Sequence, residues 1–189
     1  MLGGSSTAPD IGTISTLLSL DNFDVLHCMR RISSLAVDGT EPLTERTVPQ
    51  VHKSVVDYLV SNRPDQDLRI ELTEHNHSLT TACLESIQRL TFNIGRIETS
   101  HELYPEISSI SQDIAYSCEW FGDHLENGGE RATLVPYIET FMETHFLQWL
   151  EVLSLQKLAR RVNIAAVRIL TILEKKMKVS IHLFTKYSY

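Results

Sequence analysis

The chain has 189 residues, 42% of them hydrophobic, with 17 Lys and Arg against 24 Asp and Glu for a net charge of −7. That length fits one domain or one and a fraction, the apolar content excludes wholesale disorder, and the acidic balance excludes a globally basic nucleic-acid binder. Three cysteines, Cys28, Cys83 and Cys118, are too few for a disulfide scaffold, and no apolar run reaches the ~20 residues of a membrane-spanning helix.

Residues 1–10 read as a flexible lead-in through Gly3-Gly4-Ser5-Ser6-Thr7. Met1–Pro9 lacks the basic start of a secretory signal, so a cytoplasmic location is expected. Leu17-Leu18-Ser19-Leu20 is an apolar run leading to Asp21, a good N-cap. Val25, Met29, Ile32 and Ala36 then recur at helical steps until Asp38-Gly39 ends the pattern. Residues 47–52 are β-branched and short, consistent with one edge strand, because Pro49 cannot donate to a central ladder. Lys53–Ser61 reads as a short helix with Val55, Val56 and Leu59 inward. Asn62-Arg63-Pro64-Asp65 is the clearest break, and it divides residues 11–64 from 65–178.

After that break the helices lengthen. Residues 76–97 place Leu79, Cys83, Ile87, Leu90, Ile94 and Ile97 on one stripe. Residues 109–126 place Ile110, Ile114, Cys118, Phe121 and Leu125 on another, stopped by Asn127-Gly128-Gly129. Residues 134–155 are apolar nearly all round, as expected of the centre of a bundle. Residues 158–178 are amphipathic, with Val162, Ala166, Ile169, Leu173 and Met177 inward. Antiparallel packing through short connections is the expectation.

The charge divides sharply along the chain. Residues 1–156 carry 9 basic and 23 acidic side chains, a balance of −14, while residues 157–189 carry 8 and 1, a balance of +7. Such a basic end reads as a helix face that pairs with its own acidic body, as a site for an anionic membrane or nucleic acid, or as an altered terminus.

A search for reactive chemistry finds little. The phosphate-binding Gly-x-x-x-x-Gly-Lys-[Ser/Thr] loop is absent. His75-Asn76-His77 with Cys83 is the best metal-like cluster, but a six-residue helical step turns His77 and Cys83 about 120° apart. His101-Glu102-Leu103-Tyr104-Pro105 is not the zinc motif His-Glu-x-x-His, and Cys118 and His124 fall on different faces. The three cysteines sit on apolar stripes, as inert core residues do. No Gly-x-Ser-x-Gly elbow exists, and Glu139 and Glu143 read as a solvated pair. No enzymatic activity, cofactor or metal is expected.

Three segments carry a family resemblance. Val48-Pro49-Gln50-Val51-His52-Lys53-Ser54-Val55-Val56-Asp57-Tyr58-Leu59 resembles the His-x-Ser-Phe-x-x-Phe-Leu element that ends the winged-helix region of NACHT-type STAND NTPases. Residues 114–125, with Tyr116, Cys118, His124 and Leu125, are similar to a Tyr-Ala-Cys-x-x-Trp-x-x-His-Leu segment of fungal NACHT proteins, many of which carry WD repeats, although Trp120 stands one residue before that segment's Trp. His145-Phe146-Leu147-Gln148-Trp149-Leu150-Glu151-Val152-Leu153-Ser154-Leu155 is similar to that family's His-Leu-Leu-x-Trp-Leu-Glu-Val-Leu-Ser-Leu signature. The likeness covers roughly residues 11–175. It departs from the family at Val55, where Phe is usual, at Ser117, where Ala is usual, and over 179–189, which match nothing in it.

The resemblance implies a mainly α fold: a short winged-helix-like part at 11–64, an antiparallel helical bundle or arm at 65–178 and a divergent tail at 179–189. It implies a non-catalytic regulatory or scaffolding segment, linking a nucleotide switch to a sensor. The expected partners are proteins, a NACHT NTPase core or a sensor domain such as a WD-repeat propeller, with no specific nucleic acid and no transmembrane segment. It also implies that His52 contacts a nucleotide's terminal phosphate when a NACHT core supplies one. On its own residues, His52 equally suits a cap or packing role at the junction. The alternative function is a free-standing helical interaction module whose basic C-terminal helix, 157–178, binds an anionic partner.

Overall fold

A computed structural model describes residues 9–32, 51–61, 69–97, 110–129 and 132–187, with 177–187 described by backbone alone. The described chain is mainly helical, and among the described residues there is no strand. The break at 62–65, residues 33–50 of the winged-helix-like part, His101 and its neighbours, and the side chains of the 179–189 tail lie outside the described residues.

The first helix, α1 (Ile11–Leu18), begins at Asp10, whose carboxylate accepts from the Thr13 backbone N–H at 2.7 Å. It ends at Ser19 in the left-handed region, φ 52°. The apolar run before Asp21 is therefore the end of a helix in its own right. Asp21 then caps α2 (Asn22–Ile32) by accepting from the Phe23 N–H at 2.7 Å. Of the described part of the stripe expected there, Val25, Met29 and Ile32, only Val25 is buried, and Ile32 is exposed. The expected edge strand reduces, over its described part, to one isolated bridge residue, Val51. The third helix, α3 (Lys53–Leu59), forms where expected, but it buries none of its residues, and Val56 faces solvent.

The long helices build the core. The fourth, α4 (Leu72–Ile87), starts four residues before the predicted Asn76 and stops well short of Ile97. The chain beyond it turns through Asn93 and Arg96, both at positive φ, and Asn93 holds that turn by accepting from the Ile97 N–H at 2.8 Å. The fifth, α5 (Gln112–Asn127), buries the predicted Ile114, Cys118, Phe121 and Leu125. Gly128 ends it, followed by Gly129 at φ +65°, a conformation that other residues rarely adopt. Arg89 meets Asp113, and His124 meets Asn76, so α4 and α5 run antiparallel.

After a single 3₁₀ turn, Ala132–Leu134, the chain forms α6 (Val135–Thr140), a π-helical segment Phe141–His145, and α7 (Phe146–Leu155). The π turn changes the face presented to the core. Phe141, Phe146 and Trp149 then share a cluster whose fourth member, Phe121, comes from α5. The stretch is not apolar-buried all round: Leu147 is 75% exposed. The last helix, α8 (Arg160–Tyr187), buries Ala165, Ile169 and Ile172; of the expected stripe, Ile169 is in the core, Val162 and Leu173 pack against it half-buried, and Ala165 takes the buried place expected of Ala166. Arg161 lies beside Glu119 and Arg168 beside Glu126, so α8 runs parallel to α5. Leu17 of α1 packs into the same core, between α4 and α5.

Candidate functional site

His52 is exposed at the start of α3. Its Nδ1 accepts from the Ser54 N–H at 3.2 Å and lies 2.7 Å from Ser54 Oγ. The ring thus satisfies one of the free N–H groups of the helix's first turn, which is an N-cap's work. Nδ1 is committed to the helix, and Nε2 is the nitrogen left for any ligand.

A second polar constellation ties α4 to α5. The Asn76 amide Nδ2 donates to the Leu72 carbonyl at 2.7 Å, so its Oδ1 faces the other way as an acceptor. His124 Nδ1 lies 2.9 Å from that oxygen and must carry the ring proton. His124 Nε2 then accepts from the Tyr116 hydroxyl at 3.0 Å. Burial pushes the imidazole below its usual 6.5, against an opposing pull from the Asp123 charge, so the ring is held neutral. Burial, with the neighbouring thiol of Cys83 and the carboxylates of Glu119 and Asp123, pushes the Tyr116 phenol up to about 12. A neutral ring and a protonated phenol suit the hydrogen-bond chain that joins Asn76, His124 and Tyr116.

Beside this chain lies a shallow cleft of about 340 Å³, lined by Glu71, Thr73, Glu74, His77, Gly128 and Thr133. Gly128 lets the two helices come close there: a Cβ would stand 3.1 Å from the His77 backbone nitrogen. The cleft presents the Glu71 and Glu74 carboxylates, the Thr73 and Thr133 hydroxyls and the His77 ring. Among the described residues, no group of three or more His, Cys, Asp or Glu comes together to hold a metal ion. The His75-Asn76-His77 cluster is instead divided between partners: Asn76 goes to His124, and His77 reaches Thr133 Oγ1 at 3.3 Å.

The third constellation is the seam between α5 and α8. Arg161 bridges Glu119 at 3.4 Å and Asp123 at 3.0 Å, and its guanidinium stacks 4.3 Å over the Trp120 ring. Arg168 bridges Asp123 at 3.3 Å and also pairs with Glu126. Lys176 pairs with Glu139, so that carboxylate is not simply solvated. The spacing of Glu119, Asp123 and Glu126 put them on one helical face in the sequence, but only the parallel register of α8 could reveal their partners. At the other end of α5, Ser86, Arg89 and Asp113 form a smaller cluster. Burial would push the Asp113 carboxyl up, but hydrogen bonds from Ser111 and Arg89 and the Arg89 charge outweigh it and hold it below 3.8.

Cys83 and Cys118 are buried as expected, whereas Cys28 is exposed, because α2 is covered only around Val25. Burial pushes the Cys83 thiol up to about 12, against a hydrogen bond from Ser117. Burial, and the nearby Cys83, push Cys118 higher still. Neither is an activated nucleophile. Cys118 contributes instead through its backbone, whose carbonyl accepts from Trp149 Nε1 at 2.9 Å. Among the described residues, no helix is long and apolar enough to cross a membrane. Compared with protein-family models, curated proteins and solved structures, the chain matches none.

Proposed function

We propose that the chain is a non-catalytic regulatory and scaffolding segment of a NACHT-type STAND signalling protein, acting in the cytoplasm between a nucleotide switch and a sensor. The observation that carries this reading is that two of the segments with the family resemblance pack on each other. The Trp149 indole donates to the Cys118 carbonyl, and its ring meets Phe121 edge-on at 5.5 Å. Glu151, in the same signature, accepts from the Gly95 N–H at 3.1 Å and fixes the turn after α4. The shared residues therefore look structural: they set the geometry of a stiff helical arm rather than a reacting centre.

An arm transmits a switch by holding orientation over a distance. The 28 residues of α8 span about 42 Å at 1.5 Å per residue. In this reading a NACHT core occupies the α3 end, where the free Nε2 of His52 is exposed, and a sensor such as a WD-repeat propeller lies at the other. The alternative, a basic helix that captures an anionic partner, is weakened by the internal pairing of Arg161, Arg168 and Lys176.

Calorimetry tests the reading. The chain alone should bind neither ATP nor ADP, while a separately produced NACHT core should bind the chain more tightly in its nucleotide-loaded state, by a margin that His52→Ala reduces. Micromolar nucleotide binding by the chain alone, or indifference of every such core to it, would sink the proposal.

A further inference from the structure

Helix α8 has two apolar faces, and only one is used inside the chain. Ala165, Ile169 and Ile172 form the inner face. On the opposite side Ile164, Val167 and Leu170 are 40%, 64% and 58% exposed. At 100° per residue these three, with Arg160 and Glu174, fall within an arc of about 120°. Both flanking charges are exposed, and neither belongs to the internal ion pairs along α5.

The order of this stripe is symmetric. From Val167, Ile164 and Leu170 lie three residues away on either side, and Arg160 and Glu174 lie seven away. We infer that α8 docks through this outer face on α8 of a second copy of the chain, antiparallel, with a two-fold axis at Val167. In that arrangement Val167 meets its own copy, Ile164 meets Leu170, and Arg160 meets Glu174, twice over. Such self-complementarity is what an isologous two-fold interface requires. A parallel pairing would set Arg160 against Arg160 and Glu174 against Glu174, so charge selects the antiparallel form. Glu174 is the single acidic residue among residues 157–189, and it stands where this pairing needs it. The inference is independent of the NACHT reading.

Analytical ultracentrifugation of the full chain, from low to high micromolar concentration, is the test. The parent should dimerise. Val167→Glu sets two carboxylates on the axis and should abolish the dimer with an unchanged far-UV circular dichroism spectrum, because the side chain points to solvent. Arg160→Glu alone and Glu174→Arg alone should each weaken dimerisation roughly tenfold. The double variant, which restores opposite charges only in the antiparallel pairing, should recover it. A parent that stays monomeric throughout overturns the inference, as does a dimer untouched by Val167→Glu or a double variant as weak as either single one.

Discussion

The tight crossing of α5 and α8 gives a sharp test of the fold. Gly122 lies in α5 where α8 passes over it. A Cβ at this position would stand 2.9 Å from Ala165 Cβ and 3.2 Å from Ala165 Cα. Carbon atoms pack at roughly 3.5–4.0 Å, so Gly122→Ala forces the two helices apart by about half an ångström. The nearer obstacles belong to backbone and Cβ, which no side-chain rotation can move. Overpacking of this kind costs roughly 1–3 kcal/mol, whereas replacing a helix-interior Gly by Ala returns about 1 kcal/mol of helix propensity. The net expectation is a loss of about 1 kcal/mol, or about 2–4 °C in Tm for a chain of this size. Gly122→Val, with two more carbons in the same gap and no propensity gain comparable to Ala, should cost about 3 kcal/mol. Urea unfolding followed by far-UV circular dichroism measures both. Adding Ala165→Gly to Gly122→Ala removes the closest contact, so a double-mutant cycle should return a favourable coupling of about 1 kcal/mol. A Gly122→Ala variant about 1 kcal/mol more stable than the parent would mean that propensity acts alone, and would refute the close crossing.

Other consequences follow from the buried polar groups. Burial holds the His124 imidazole below 6.5, so on acidification the unfolded chain takes up a proton that the folded chain refuses. Stability measured by urea unfolding should therefore fall as the pH drops through about 6.5, and His124→Gln should flatten that part of the profile. Asp113 is held below 3.8, so its contribution is present above that value and disappears as the pH falls through and below it; Asp113→Asn should flatten only this lower window. A chromogenic disulfide reagent should label Cys28 in the folded chain and reach Cys83 and Cys118 only after denaturation, and prompt labelling of all three would contradict the packing. Trp149→Phe keeps most of the ring but loses the donor to the Cys118 carbonyl, and should cost about 1–2 kcal/mol, against about 3–5 for Trp149→Ala, in the same unfolding assay.

Periodicity read some of this architecture correctly and misread the rest for identifiable reasons. The α5 stripe is legible because Ile114, Cys118, Phe121 and Leu125 recur at steps of three and four, and Glu119, Asp123 and Glu126 mark another side of the helix as polar. In α8 two apolar stripes compete, and the adjacent Ala165 and Ala166 are equivalent by composition. The choice falls on Ala165 because it is the residue against Gly122, a fact that belongs to another helix. Helix α4 begins before residue 76, because Thr73, Glu74 and His75 join it without adding to the apolar stripe, and the Asn76 amide bonds back to Leu72 within the helix. Its end falls earlier than the apolar spacing suggests, because Leu90 and Ile94 continue that spacing after the helix has stopped at Ile87. The π turn at 141–145 has no apolar signature at all, yet it decides that Phe146 and Trp149 face inward and that Leu147 does not. At the candidate site, the cap at His52 could be read locally. The Asn76–His124–Tyr116 chain could not, because Asn76 and His124 meet across 48 residues of sequence.

The charge imbalance takes on a different meaning once the register of α8 is known. In the linear sequence a +7 end on a −14 body invites an external anion. Yet α5 and α8 run parallel without being consecutive, so no short connection fixes how far one slides along the other. The charges supply that constraint. Arg161 and Arg168, seven residues apart, straddle Asp123 and reach Glu119 and Glu126 on either side of it. A slip of one helical turn, about 5.4 Å, would carry each guanidinium past its carboxylates and move Ala165 off Gly122. Attraction and close packing thus select the same register, which is the agreement between independent terms that marks a single well-defined arrangement. Among the described side chains, the outer arc around Val167 carries the balanced pair Arg160 and Glu174 beside an apolar stripe. The basic end of the chain is first a device for locking its own helices. Its unused face, nearly neutral where it is apolar, fits a second α8 better than it fits a phosphate-rich surface.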